Sequence, residues 1–496
     1  MGTTLPAPRS RDGIGLSLLA GVVAVAGSYA AVGRSDAFVA VPVHAWEVDH
    51  MPAVVLRIAI VALGKLGEDA GFILALALTV LLFAAVAAVA LAVGEDRSRL
   101  VPLGSAYLLS WVVATLLTRA PWAALGVTLP MTAVLALSSV DRRRRSGAVD
   151  GARREVIRTV GGVGAIGLGF ALGNRTPLGT PPKLSAISAA DRATIQERLD
   201  MAAERSLSVG DLPGLVSPIR AFYEVDINTV NPGVDLAEWS LSVTGAVDDP
   251  LEVGYGDLTG RDADHRFYTL RCVGEDLNGH KMDNALWTGV PAATLLDEAG
   301  VDDDATHVVL HAVDGYYEEF PLHSLEQGFL AYGMNGRELP RAHGAPVRAL
   351  VPGRWGEVNV KWLTEIEVIA GEATGYWEKR GWEGTGPVTT VAKLHEVVHH
   401  DDGRITVGGH AYAGTRGIAR VEVSTDGGDS WSKATLSEPL PGDDVWRMWS
   451  FTYEPPGDAH EVVVRAVDGT GDLQTKINTA AFPSGATGWV SQTIAP

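Results

Sequence analysis

Hydrophobic and polar positions follow two different rhythms along this chain, and the change falls near residue 175. Before it, long apolar runs are separated by short polar connections. After it, apolar positions come in short alternating stretches between turn residues. Five of the early runs, 13–33, 71–93, 100–117, 121–140 and 156–173, approach or exceed the roughly 20 apolar residues that carry a helix across a bilayer. A cleaved signal peptide does not account for so many. The run 54–67 is shorter, carries Arg57 and Lys65, and is assigned to the interface or to packing beside the bundle.

The later rhythm predicts α+β structure and then strands alone. Short strands fit WSLSVTGAV, RFYTLRCV, HVVLHAV and PVRALVPG, with a short helix opened by Pro291 and ended near Gly300. From about Thr385 the stretches RITVGGHAYA, IARVEVSTDGGDSW, WRMWSFTYE and HEVVVRAVDGTG read as strands with turns between them, a β-sandwich of immunoglobulin type without its cysteines. The expected organisation is a helical membrane domain over 1–175, a linker over 176–212 with a Pro-rich start and one amphipathic helix, an α+β domain over 213–384, and an all-β immunoglobulin-like sandwich over 385–496.

Charge adds orientation and removes some functions. Arg9 and Arg11 precede the first run, Arg97 and Arg99 follow the second, and DRRRR with Arg153 and Arg154 follows the fourth, so the basic loops alternate. Basic loops stay cytoplasmic. The N-terminus is then inside and everything after about residue 175 outside. The net charge of −19 lies mostly in that outer part and argues against nucleic-acid binding. None of the 13 histidines falls in the five runs, so a membrane-embedded haem held by two histidines is not expected, and a chain with one cysteine has neither a CxxCH haem site nor an intrachain disulfide.

That one cysteine, Cys272, ends an apolar stretch and opens a polar, glycine-bearing loop. Taken alone it reads as a small buried hydrophobe, and its thiolate matters only where a metal or a cation lowers its pKa. The surrounding text TLRCVGEDLNGHKMDNALWTGVPAATLLDEAG resembles the cysteine loop of the sulfite oxidase family of molybdopterin enzymes. Three more stretches resemble the same family in the same order: FYEVD at 222–226, MNGRELPRAHGAPVRALVPGRWGEVNVKWLTEIEV at 334–368, and RGIARVEVSTDGGDSW at 416–431. Together they cover about residues 213 to 496.

The resemblance implies a molybdenum-pyranopterin cofactor, with Cys272 as the metal's protein ligand. A soft thiolate suits that role. It implies cofactor contacts from Tyr223 and Glu224 at the domain entrance, from Asp314 in VDGYYEEFP, from His343 and Arg348 on pterin and phosphate, and from Asn359 and Lys361 on the cofactor's tail. It implies oxygen-atom transfer, a small-molecule substrate, a separate electron carrier (a quinone or a redox protein), and a homodimer through the C-terminal domain.

The family's site arginines are missing here: their places hold Glu224, Val225, Glu275 and Asp276, and the resemblance puts Trp382 where the family has its active-site tyrosine. A sulfite dianion would meet carboxylates in place of guanidinium groups. A neutral oxide therefore fits better than sulfite. Two alternatives stay open at this level: a sulfoxide or N-oxide reductase of the same cofactor class, and a non-catalytic surface receptor on a degenerate molybdenum fold. Arg153 and Arg154 before a Gly-rich apolar run also resemble a twin-arginine export signal, which would move a folded, cofactor-loaded domain.

Overall fold

The computed structural model describes residues 10–33, 35, 37–52, 55, 65–93, 98, 100–141, 187–227 and 230–496. The chain divides into two compact units, one of Met1–Pro181 with Asp226–Gly233 and one of Pro182–Val225 with Val234–Pro496.

Among its described residues the first unit is helical: α1 (Arg11–Val32), α2 (Ala40–His50), α3 (Lys65–Val93), α4 (Leu100–Thr118) and α5 (Leu125–Asp141). Ser10 starts α1 by accepting the Gly13 N–H on its Oγ at 3.0 Å, which satisfies one of the donors a helix start leaves open. Helix α1 packs closely on α3 and α5 because glycine stands at the crossings. A Cβ on Gly21 would strike the Val80 carbonyl and one on Gly27 the Gly126 carbonyl. The shared core is built largely from alanine, with Phe83 and Met131 filling between.

Helices α1, α3 and α4 correspond to the first three apolar runs and are long and apolar enough to span a membrane. The fourth run forms a shorter helix with Pro130 inside it. The fifth run, the arginine cluster between the fourth and fifth runs and most of 54–67 lie outside the described residues. Helix α2 was not expected: His44, Glu47 and His50 dilute its apolar pattern within only 11 residues.

In the second unit, α6 (Ala189–Arg205) is the amphipathic helix expected in the linker. A reciprocal capping box between Ser188 and Asp191 opens it. Its Ile195 and Ala202 join a core shared with Phe267, Leu286 and Trp446, so the helix is packed on the domain it precedes. The first sheet runs in the order β2 (Leu251–Gly254), β1 (Ser240–Gly245), β10 (Leu363–Ile369), β5 (His307–Ala312) and β6 (Tyr317–Pro321), with β1 and β10 parallel. The second orders β3 (Asp264–Arg271), β4 (Met282–Pro291), β7 (Phe329–Met334) and β8 (Arg337–Glu338), with β9 (Arg348–Leu350) also on β7. Leu241, Val243, Leu310, Phe320, Leu330 and Ile366 belong to the buried core these two sheets share. The short helix falls at Ala293–Ala299, ending on Gly300 in the left-handed conformation, while Pro291 closes β4 and does not open the helix.

The C-terminal part is a sandwich of two antiparallel sheets. One runs β11 (Val391–Ala392), β13 (Ile405–Tyr412), β17 (Arg447–Tyr453) and β16 (Thr435–Leu436), with β12 (Glu396–His399) also on β13. The other runs β15 (Ser432–Lys433), β14 (Ile418–Ser424), β18 (His460–Asp468) and β19 (Val490–Ile494). Val407 and Trp449 of the first sheet meet Val421, Val423, Val462 and Val464 of the second in one core, which is why the inward positions alternate with polar ones.

Candidate active site

The end of β3 presents Cys272, half-buried, in the loop toward β4, with its N–H donating to the Lys281 carbonyl at 2.9 Å. Burial pushes the thiol up to about 11, partly opposed by the Lys281 ammonium. A thiolate at neutral pH therefore requires a metal to displace the proton. Gly274 keeps the space beside it clear: a Cβ there would sit 3.8 Å from Cys272 Sγ and 3.3 Å from Trp382 Cη2. Trp382 and the thiol thus border one space at Gly274, the indole by the Cη2–Cζ2 edge of its ring. Its ring is held edge-on by Trp377 at 6.5 Å and Phe482 at 5.2 Å between centroids.

The entrance segment is tied to this loop by buried hydrogen bonds. Asp283 on β4 accepts from Ser217 Oγ at 2.6 Å and from the Tyr223 N–H at 2.9 Å, and burial pushes its carboxyl up to about 6. Asn335 adopts a positive φ of 48°, accepts the Leu286 N–H at 2.9 Å and donates to the Ser217 carbonyl at 3.0 Å. The Tyr223 hydroxyl points toward Gly356 and the Arg271 carbonyl, where a Cβ on Gly356 would lie within 2.8 Å and 3.2 Å of them. Tyr223 therefore reaches the backbone just before Cys272, and burial raises its hydroxyl's pKa well above the usual range, with the Cys272 thiol adding to this and the Arg348 cation opposing it. Phe222 stacks on Tyr223 and meets the His343 ring at 5.5 Å, extending the contact to the next motif.

In that motif Arg348 and Lys361 are held by main-chain carbonyls, and His343 lies against another. His343 Nε2 is 3.1 Å from the Ile219 carbonyl, and burial, Arg348 and Lys361 lower its pKa to about 4, so it is neutral. Arg348 donates to the carbonyls of His343 at 3.0 Å and Asn359 at 2.9 Å and lies over the Trp287 ring. Lys361 Nζ donates to the Ala342 carbonyl at 3.1 Å. Asn359 spends its amide on the backbone, accepting the Val351 N–H at 2.8 Å and donating to the Trp355 carbonyl at 2.9 Å.

Cys272, Tyr223, His343, Arg348 and Trp382 thus belong to one neighbourhood, and Lys361 faces His343. Glu224 is exposed at its edge. Asp314 sits in the β5–β6 turn and accepts the Tyr316 N–H at 3.1 Å.

Sequence reasoning missed a buried ion cluster. Glu275 does not line an open approach: it accepts from Arg271 Nε at 3.0 Å, from the Lys393 ammonium and from the Lys281 N–H at 2.8 Å. Two cations against one carboxylate hold its pKa down, while burial lowers that of Lys393 to about 8. Arg271 turns away from the ligand side, donating to the carbonyls of Thr389 and Ala486 and lying over Trp355. Of the four positions that carry no arginine, Glu275 is therefore internally neutralised and adds no repulsion to an anion.

A soft thiolate, a glycine-cleared space beside it and a cluster of fixed donors for an anionic tail fit a molybdenum-pterin cofactor. Comparison with known proteins agrees. The model of the oxidoreductase molybdopterin-binding domain matches residues 228–377, and that of the Mo-co oxidoreductase dimerisation domain matches residues 385–484. The oxidoreductase YuiH of Bacillus subtilis is 32% identical over 154 residues, 31% of this chain and 76% of that protein. The chain belongs to the sulfite oxidase family of molybdopterin-dependent oxidoreductases.

Within it, the sulfite oxidase of Arabidopsis thaliana is 28% identical over 52% of this chain and 82% of its own length. The mitochondrial sulfite oxidase of Mus musculus is 27% identical, over 53% of this chain and only 57% of its own length. Among solved structures, the sulfane dehydrogenase SoxCD of Paracoccus pantotrophus aligns with a TM-score of 0.50 at 21% identity, covering 57% of this chain and 82% of that one, a likeness of fold alone.

Proposed function

We propose that the chain is a membrane-anchored enzyme whose second unit works on the extracytoplasmic side and transfers an oxygen atom to or from a neutral organic substrate, such as an S-oxide or N-oxide, in preference to sulfite. The cofactor, when bound, supplies a metal that exchanges an oxygen atom with a two-electron change. The residues supply the rest: Cys272 holds the metal, Tyr223 closes the entrance side, and His343, Arg348 and Lys361 orient the pterin and its phosphate. Glu224, Asp314 and Asn359 stand at the positions the family resemblance assigns to further cofactor contacts.

The observation that carries the substrate reading is the Trp382 indole set against Gly274 beside the thiol. An apolar indole edge at this space, in place of a cation, suits a neutral molecule. Neutralisation of Glu275 leaves the indole edge, and not charge repulsion, as the support. A steady-state assay of the cofactor-loaded protein with artificial electron carriers tests it. Turnover of an S-oxide or N-oxide, or oxidation of its reduced form, is expected, and efficient sulfite oxidation with a Michaelis constant in the micromolar range would sink the reading.

Membrane anchoring is supported by large apolar side chains on the outside of the helices: Leu100, Leu116 and Leu137 are 74, 75 and 68% exposed. The alternating basic loops support an inside N-terminus, and Arg153 and Arg154 support export of the folded unit. Electrons pass to or from a quinone or a redox protein, and the C-terminal sandwich supports a homodimer. Replacing both arginines with lysine should strand the second unit inside the cell, as protease access in intact cells would read.

A further inference from the structure

Three glutamates from separate stretches of the second unit meet in the interior next to the metal-ligand loop. Glu318 comes from β6, Glu357 from the turn Gly356–Val358 and Glu378 from the turn Glu378–Arg380. Glu318 is fully buried. Glu357 is only 9% exposed, and neither of its carboxyl oxygens has a hydrogen-bond partner. The Tyr316 hydroxyl lies 2.9 Å from Glu318 Oε2 and 2.9 Å from the main-chain carbonyl oxygen of Glu357, next to but not on the Glu357 carboxyl. The carboxyls of Glu318 and Glu378 converge over Gly375, where a Cβ would collide with both. At the inner end, Gly356 packs its backbone against Tyr223 Oη and the Arg271 carbonyl, which puts Glu357 one residue from the wall of the thiol's neighbourhood.

Carboxyl groups gathered in an apolar interior cannot all ionise. Burial first, and then the neighbouring carboxyls, raise Glu318 and Glu357 far above the usual range, and the same surroundings raise Tyr316. The groups facing the cluster are Tyr316, Tyr376 packed on its ring at 5.3 Å, the Glu319 N–H, the Cys272 thiol on the Glu357 side and, on the Glu378 side, Glu319 and through it the exposed Glu372. Among the described residues, no lysine or arginine is one of the largest influences on Glu318 or Glu357. Structural carboxylates usually accept hydrogen bonds or pair with cations. Glu357 does neither with its side chain.

We propose that Glu378, Glu318 and Tyr316 form a proton relay from the surface toward the interior beside Cys272, and that the Glu357 carboxyl, held by no hydrogen bond, turns to take the proton at its inner end. It deepens the proposed oxygen-atom transfer and rests on that reading for its direction. Removing the oxygen of a neutral oxide follows R–X=O + 2H⁺ + 2e⁻ → R–X + H₂O: the X–O bond breaks, two O–H bonds form, and the electrons come from a quinol or a one-electron redox protein. The relay brings in the two protons. In the reverse reaction it carries them out. These are positioning and proton-holding residues, because none of them touches the ligand thiol.

The test uses the full-length, cofactor-loaded protein in detergent, with Glu357→Gln, Glu318→Gln and Tyr316→Phe, each checked for metal content and thermal unfolding. The expected result is a fall in kcat of roughly a hundredfold, the scale of a lost proton-transfer group, with KM unchanged, a larger solvent deuterium isotope effect, and partial rescue by a small weak acid such as formic acid. Independently of turnover, infrared spectra of the wild type at pH 8 should contain a protonated-carboxyl band that shifts in D₂O and is lost in Glu318→Gln. Unchanged kcat and isotope effect in folded Glu357→Gln and Tyr316→Phe would overturn the relay, as would absence of the protonated band. Should the wild type turn over sulfite and not oxides, only the substrate reading falls, and the same variants measured on sulfite still decide the relay. Should Glu318→Gln fail to fold, the other two variants carry the kinetic arm.

Discussion

The two units of this chain solve opposite packing problems. In the helical unit small residues face inward and large ones outward: Ala20, Ala87, Ala106 and Ala114 are fully buried, while Leu100, Leu108 and Leu116 are exposed. In the second unit the order is that of a water-soluble protein, with Trp287, Trp449, Tyr332 and Phe320 fully buried and charged side chains outside. Where water is the solvent, burying large apolar surface drives folding. Where lipid is the solvent it does not, and close backbone approach through glycine and alanine takes over. On the proposed membrane reading of the helical unit, the same leucine has opposite value in the two units.

The largest expected effect bears on the unit that carries chemistry. Cys272→Ala should reduce oxygen-atom transfer by more than the hundredfold typical of losing a mere supporting contact, with loss of bound molybdenum by elemental analysis and no unfolding. Retained metal and activity would end the assignment. Next in size, Trp449→Ala should cost about 3–5 kcal/mol in denaturant unfolding of the second unit, whereas Leu116→Ala in detergent should stay within about 0.5 kcal/mol. Equal costs would erase the contrast between the units.

Smaller again, Gly27→Leu should loosen the helical unit by about 1–3 kcal/mol, since its new atoms meet the Gly126 carbonyl. Thermal unfolding in detergent should drop while metal content holds.

The smallest effect is on pH. Asp444 is buried, accepts from Tyr412 Oη at 2.5 Å, and is pushed up to about 7 chiefly by burial. The folded protein holds this proton to about pH 7, and an unfolded aspartate releases it near 3.8. Stability should therefore fall as pH rises through that window, with a slope of at most about 1.4 kcal/mol per pH unit. Asp444→Asn should lack this contribution. An unchanged slope in the variant would locate the pH dependence elsewhere.

How legible each part was in the sequence follows from how far apart its residues stand. The ligand loop, the His343 to Lys361 stretch and the strands of the sandwich are local patterns, and alternation or a contiguous motif reveals them. Helix α6 was equally readable from its amphipathic repeat. What could not be read are the contacts that topology makes. Glu318, Glu357 and Glu378 look like ordinary surface charges until β6 and two turns bring them together, and Glu275 looked like a repulsive group until Lys393, 118 residues away, proved to neutralise it. Asp283 gave no signal because its partners, Ser217 Oγ and the Tyr223 N–H, belong to the segment before β1. Helix α2 was lost to its own histidines and acids.

The ion cluster of Arg271, Glu275 and Lys393 has a bearing on ancestry and engineering. Its members flank the metal ligand on one side and open the sandwich on the other, with Arg271 also bound to Thr389 and Ala486. Exchanging the sandwich for that of a distant relative would leave Arg271 and Glu275 facing strangers, and a chimera would lose order first at the loop that holds the thiol. The two domains are separate in the written sequence but tied through this cluster, and any graft that keeps the loop must keep Lys393 and the main-chain carbonyls at 389 and 486 in place.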